Sequence, residues 1–305
     1  MFKTWKSFGL VAVLALVVAV LAACGTNDEG DNEDSGDTGN SESASVGDGK
    51  DIELVYVNWD SEIASTNVVG KVLEDLGYDV KLTSLENAAM WQAVANDEAD
   101  GMVAAWLPNT HASQFDEFGE QVVDLGPNLE GAKTGLVVPS YMDVDSIEDL
   151  ADEAGQTITG IEPGAGVVAA TETALEEYDN LSDWTLSTSS SGAMTTQLGE
   201  AIGNEEDVIV TGWSPHWKFS EYDLKYLEDP QGAFGEEETI NTMVREGLEE
   251  DLPNAYKVLD NFHWDISDME SVMLEINEGA DPEDAAASWV EENADKVAEW
   301  TEGVE

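Results

Sequence analysis

Cysteine is nearly absent: the 305 residues contain one, Cys24. Without a second thiol there is no disulfide within the chain and no multi-cysteine metal site. Histidine is almost as scarce, with three in all. None stands in a His-Glu-x-x-His or other clustered spacing, so a zinc site is unsupported and no metal is expected. Basic residues number 11 against 66 acidic ones, for a formal charge of −55. A field of that sign repels nucleic acid and anionic lipid heads, which excludes nucleic acid as a partner. It does not select a cationic ligand by itself, because salt screens it within about 8 Å at physiological ionic strength. We read it as a solvated acid coat suited to high salt or high pH outside a cell. Long apolar runs are missing too, apart from residues 9–20, which fall short of the ~20 residues of a comfortable membrane span.

That run is informative by its flanks. Lys3 and Lys6 precede it, and Leu-Ala-Ala-Cys24 follows. The arrangement resembles a bacterial lipoprotein signal, in which residues 1–23 are removed and Cys24 carries the lipid. Residues 25–50 are nearly all Asp, Glu, Asn, Ser and Gly, with little to bury. Residues 24–50 are therefore expected to be a lipidated cysteine followed by a disordered acidic tether, which holds the folded part off the outer face of the cell membrane.

The folded part is built on an internal repeat. Gly-Met-Val-Ala-Ala-Trp106-Leu-Pro108-Asn-Thr-His111 is an apolar strand ending on an indole, then a proline and a histidine. Asp-Val-Ile-Val-Thr-Gly-Trp213-Ser-Pro215-His216-Trp217 has the same plan. Each follows a helix that begins with an Ala-Met pair, at Ala89 and Ala193, and each is preceded by a loop into an earlier helix. Those loops are Asn-Trp59-Asp60 and Gly160-Ile-Glu-Pro-Gly164-Ala-Gly166. Two similar α/β lobes suggest a cleft between them.

Periodicity fills in the elements. Strands are expected at 52–59, 79–85 and 101–106, alternating with helices at 61–78 and 87–97. After a strand at 133–139 and a helix at 146–154, the second lobe repeats the pattern: strands at 157–161, 184–188 and 208–213, helices at 167–178 and 193–202. Helices follow at 237–248, 253–261, 267–278 and 282–300. Each lobe is thus expected to be a mainly parallel sheet flanked by helices. Lobe one takes residues 51–138 and 230–305, lobe two residues 139–229, with crossings near Pro139 and Leu224. Ligands in such sheets bind outside the carboxyl ends of the strands, where Trp59, Trp106 and Trp213 stand. Trp264, Trp289 and Trp300 lie on apolar helix stripes and are read as core.

Enzymatic readings fail on chemistry. Gly212-Trp213-Ser214-Pro215-His216 approaches a nucleophile elbow, but Pro215 has no N–H to donate to an oxyanion. Gly160–Gly166 lacks the glycine order and the lysine of a phosphate loop, and no cofactor is indicated. What Gly164-Ala-Gly166 does offer is the bare first N–H groups of the next helix, a site for a carboxylate. Three indoles at cleft-facing turns read as walls whose π-faces attract a cation that cannot donate hydrogen bonds. Each is worth roughly 0.5–2 kcal/mol, while micromolar affinity needs about 8 kcal/mol. A carboxylate held by the helix N–H groups and His111 supplies the rest and selects a zwitterion.

Tyr56-Val-Asn-Trp59-Asp-Ser-Glu-Ile-Ala-Ser-Thr-Asn, Ala-Trp106-Leu-Pro-Asn-Thr-His111, Gly135-Leu-Val-Val-Pro, the Gly160–Gly166 segment, Gly-Trp213-Ser-Pro-His-Trp217 and Glu299-Trp300-Thr together resemble the glycine betaine-binding proteins of osmoprotectant ABC importers. The likeness runs from Ile52 to Trp300. It implies a two-lobed periplasmic-binding-protein-like fold of type II and a ligand that is glycine betaine or a related compatible solute, such as proline betaine. It also implies, as partners, a membrane permease and its cytoplasmic ATPase. By motif, Trp59, Trp106 and Trp213 form the quaternary ammonium cage; the Gly166 and Val167 N–H groups and His111 take the carboxylate. Departures are small, Glu162 for Asp and Val167 for Ile. In some relatives the Gly160-type segment precedes the Trp59-type one, so the order here resembles a circular permutation. Choline, carnitine or a sulfonium analogue as main ligand is the alternative, and an enzyme acting on quaternary amines a remote one.

Overall fold

The computed structural model describes residues 46–305. The expected leader, Cys24 and most of the expected tether lie outside these residues. Val46–Gly49, at the end of the tether stretch, form a turn in which the Gly47 and Gly49 N–H groups donate to the Leu76 and Gly77 carbonyls.

The first half begins with β1 (Asp51–Tyr56), α1 (Asp60–Asp75), β2 (Asp79–Ser84), α2 (Asn87–Ala95) and β3 (Gly101–Leu107). A short α3 (Ala112–Phe118) leads into β4 (Val122–Pro139). The second half has β5 (Thr157–Gly160), α4 (Gly166–Glu177), β6 (Thr185–Thr188), α5 (Ser191–Gly203) and β7 (Ile209–Ser214), then α6 (Lys218–Glu221) and β8 (Leu224–Tyr226). The chain returns through β9 (Glu238–Arg245) and ends in α7 (Leu248–Asp251), α8 (Pro253–Asn261), α9 (Ile266–Asn277), α10 (Pro282–Glu292) and α11 (Ala294–Trp300).

One mixed sheet runs β2-β1-β3-β9-β4-β7-β5-β6, with β8 on β4. Two parallel triples, β2-β1-β3 and β6-β5-β7, flank an antiparallel pair. The duplication in the sequence is therefore a duplication of the triple, with β1 and β5 as equivalent central strands. Up to Ala132, β4 pairs with β9; from Lys133 it pairs with β7. The chain thus changes partner within one strand, ahead of Pro139.

Three expectations are corrected. Most of residues 237–248, read as a helix, is instead β9: Ile240, Met243 and Val244 fit a helical stripe and a doubly buried strand equally well, and the gap between β3 and β4 decides for the strand. The helix expected at 146–154 is replaced by a 3₁₀ turn, Ile147–Asp149, opened by a Ser146/Asp149 capping box, and by the start of a second short 3₁₀ segment, Glu153–Gln156. The helix expected at 282–300 breaks at Asn293 into α10 and α11. The C-terminal tryptophans are core as read. Trp264 meets Trp289 edge-on at 5.7 Å, Trp289 stacks on Trp300 at 5.5 Å, and Trp300 meets Phe262 at 4.9 Å. Among the described residues no helix is long and apolar enough to cross a membrane, and no group of three or more His, Cys, Asp or Glu is placed to hold a metal ion.

Candidate ligand-binding site

The carboxyl ends of β1, β3, β5 and β7 converge on one pocket, with about 320 Å³ of space between atoms including the part open to solvent, at the lower end of the range for small-molecule sites. Its wall contains Trp59, Trp106, Trp213, Gly166 and Val167, with Ser61, Thr110, Thr134, Ile161 and Ala165 between them. Trp59 follows β1 and Trp106 lies at the end of β3, while Trp213 comes from β7 in the other half. All three indoles are nearly buried, yet their rings border this space. Both prolines beyond the strand indoles, Pro108 and Pro215, follow cis peptide bonds.

Helix α4 points its first turn at the pocket. Its N-cap Ala165 makes no side-chain cap bond. Among the described residues, the Gly166 and Val167 N–H groups donate to no protein acceptor, whereas those of Val168 and Ala169 reach the Ala165 carbonyl. Two donors and the positive end of a helix dipole are left for an anion. Gly166 is required by close approach: a Cβ there would overlap the carbonyl oxygen of Thr110, across the cleft.

His111 stands behind the wall. It is fully buried, stacked on Trp59 at 6.1 Å and edge-on to Trp91 at 5.9 Å. Its Nδ1 accepts the Trp106 N–H at 3.1 Å, so the neutral ring carries its proton on Nε2. That Nε2 is buried and, among the described residues, has no partner. Burial lowers the ring's pKa to about 3, keeping it a neutral donor.

Several residues at the site escaped the sequence reading. Glu238, on the strand mistaken for a helix, is buried, and one carboxylate oxygen accepts the Asn109 and Thr110 N–H groups at 2.6 and 2.7 Å. The Thr110 hydroxyl donates to the other, so this one side chain fixes the turn that carries Thr110 and His111. Lys218 is fully buried, with its Nζ 4.4 Å from the Trp213 ring centroid and bonded to the Trp213 carbonyl at 3.3 Å. Desolvation pushes its pKa well below the usual lysine value, opposed by Asp60 and Glu270. Glu62 is buried with its carboxyl well above the carboxylate range, chiefly by desolvation, and accepts the Val57 N–H at 2.7 Å. The cleft itself is bridged. Trp59 Nε1 donates to Glu162, Asn87 Nδ2 to the Gly164 carbonyl at 3.1 Å, and Trp217 Nε1 to Asp60 at 2.7 Å. Only the Trp-Asp and Trp-Ser-Pro-His-Trp clusters hinted at these partners.

The family of substrate-binding domains of ABC-type glycine betaine transport systems, OpuAC, matches residues 50–292. The chain belongs to this family. It is similar to the glycine betaine/carnitine transport binding protein GbuC of Listeria monocytogenes serotype 1/2a (strain 10403S), with 51% identity over 175 residues. That match covers 57% of this chain and 57% of the relative. Among solved structures it is similar to lactococcal OpuAC in its closed, glycine betaine-bound form: 58% identity, TM-score 0.82, covering 83% of this chain and all of that one. An ABC-transporter choline-binding protein in complex with choline matches at 27% identity and TM-score 0.77, over 83% of this chain and 92% of its own. The chain has the expected type II binding-protein fold, the fold it shares with lactococcal OpuAC and with a glycine betaine/L-proline-binding protein, ProX, of Borrelia burgdorferi.

Proposed function

We propose that this OpuAC-family protein is the extracytoplasmic receptor of an ABC importer, capturing glycine betaine between its two halves and delivering it to a membrane permease driven by a cytoplasmic ATPase. The observation that carries this reading is the meeting, around one small pocket, of three indoles from both halves with the unpaired N–H groups of Gly166 and Val167. The trimethylammonium head has no N–H to donate, so water or a carboxylate solvates it weakly and aromatic faces compete well. Trp59, Trp106 and Trp213 enclose it. The carboxylate tail takes the two α4 N–H groups and the Nε2–H of His111, which would otherwise stay unpaired. In keeping with a family of substrate-binding domains, we read the role as capture without chemistry. Lipidation at Cys24 would tether the receptor at the outer membrane face, and Cys24→Ser would release it into the medium.

Titration calorimetry tests the reading. Glycine betaine should bind at one site, and Trp106→Ala and Trp213→Ala should each weaken it by at least about tenfold. His111→Ala should cost carboxylated ligands more than choline. Full affinity in both tryptophan variants would sink the cage. The choline-bound neighbour favours a second reading, in which choline is the main ligand; because choline has no carboxylate for the α4 N–H groups, a titration with glycine betaine, proline betaine, carnitine, a sulfonium analogue and choline separates the two. Recovery of each ligand unchanged after long incubation distinguishes receptor from enzyme.

A further inference from the structure

Among the described residues, both hydrogen bonds to the Asp60 side chain come from the opposite half of the molecule. Asp60 opens α1. Its Oδ1 accepts the Trp217 indole N–H at 2.7 Å and its Oδ2 the Ser191 hydroxyl at 2.9 Å. His216 faces the same carboxylate, with Nε2 at 3.7 Å from Oδ2. The His216 Nδ1 accepts the Lys218 N–H at 3.1 Å, so the proton is on the nitrogen that looks at Asp60. Glu162 holds the mirror position, in the loop between β5 and α4 that corresponds to the loop between β1 and α1. It accepts the indole N–H of Trp59, again from the other half. Each half therefore places one carboxylate at the end of its central parallel strand and extends it to an indole of its opposite number.

We propose that Asp60 and Glu162 are reciprocal positioning residues that fasten the two halves over bound ligand and so set how slowly it is released. The proposal rests on the receptor reading above. Opening the cleft separates Asp60 from Trp217 and Ser191 and Glu162 from Trp59, and the carboxylates return to water. The bonds therefore favour the closed form without contributing to the stability of either half. Two features make the pair more than a surface contact. Trp59 is a wall of the ligand pocket, so the Glu162 bond holds that ring in place only when the halves meet. Trp217 and His216 follow Trp213 in one turn, with the His216 ring 4.7 Å from that of Trp213 and 5.3 Å from that of Trp217. The Asp60 bond thus holds the turn that carries the third wall. Hydrogen bonds to a charged acceptor are among the stronger ones, and losing one should speed opening by roughly tenfold.

The test is stopped-flow tryptophan fluorescence of the mature full chain with glycine betaine. Asp60→Ala should raise the dissociation rate by about tenfold or more and leave the association rate within about twofold, at both low and high salt. Asp60→Asn should recover most of the loss, because its Oδ1 still accepts from Trp217 and its Nδ2 can donate to the Ser191 hydroxyl. Trp217→Phe should add little in the Asp60→Ala background, and Glu162→Ala should raise dissociation independently. The melting temperature of the ligand-free protein should be unchanged in Asp60→Ala. A wild-type release rate in Asp60→Ala overturns the proposal. So does an equal loss in Asp60→Asn and Asp60→Ala accompanied by a lower ligand-free melting temperature, which would make Asp60 an ordinary structural residue. If wild-type protein fails to bind glycine betaine, the receptor reading itself falls and takes this proposal with it.

Discussion

A trimethylammonium group offers its surroundings only a diffuse positive charge and C–H surface, so indole rings are fitting walls and ordered carboxylates are not. Trp59, Trp106 and Trp213 were legible in the sequence because each closes an apolar run beside a turn, and the turns repeat. Gly166 was legible as a bared helix start. Its closeness to Thr110 was not, because Thr110 belongs to the other half and the contact exists only in three dimensions. The same holds for Asp60, Glu162 and Trp217, whose partners lie 131, 103 and 157 residues away. At this scale Gly166→Ala is the sharpest probe. Its added methyl would overlap the Thr110 carbonyl, an obstruction met only when the cleft shuts. Affinity for glycine betaine should fall by about 10–100-fold, as expected of a tightly packed contact forced to accept a methyl, while the melting temperature of ligand-free protein stays near that of wild type. Calorimetry beside thermal unfolding measures both.

Strands and helices were read well where local pattern and burial agree. The parallel triples follow from short apolar runs alternating with amphipathic helices, and all six of their strands fall where expected. The antiparallel centre was not legible. Residues 122–132 of β4 carry Gly126 and Gly131, both at positive φ, and three register irregularities against β9, which break the period-2 alternation. β9 is buried on both faces, so it shows no alternation and its apolar spacing mimics a helix. The misread strand matters because it delivers Glu238 to the turn beneath the pocket. Removing that carboxylate leaves the Asn109 and Thr110 N–H groups without their acceptor in a buried place. Glu238→Ala should therefore lower the unfolding free energy by about 3 kcal/mol and weaken ligand binding through the displaced Thr110 and His111. Denaturant titration reads the first effect; an unchanged midpoint would show that the turn holds itself.

For the molecule as a whole, buried titratable groups set opposing responses to pH. Glu62 has its carboxyl raised well above 4.5 by burial. The folded chain thus keeps a proton that the unfolded chain releases, and the contribution of this group declines as pH rises above about 4.5. His111 and His216 are lowered by burial, His111 from 6.5 to about 3. The unfolded chain gains protons that the folded one refuses, and stability is lost as pH falls below about 6.5. Glu62→Gln keeps an acceptor for the Val57 N–H and removes the first of these effects. Its stability relative to wild type should increase between pH 5 and pH 8, and a pH-independent difference in denaturant midpoints would contradict the assignment. The two-lobed plan was visible from the repeat alone, because duplicated strand-end motifs demand duplicated sheets. How the halves meet was not visible, since closure depends on side chains that are far apart in the chain. The most direct test of the account is a crystal structure of the protein with glycine betaine. The account predicts the trimethylammonium group among Trp59, Trp106 and Trp213, and the carboxylate on the Gly166 and Val167 N–H groups with His111 Nε2 within hydrogen-bond reach. A ligand seated elsewhere, with those three rings packed on protein alone, would contradict it.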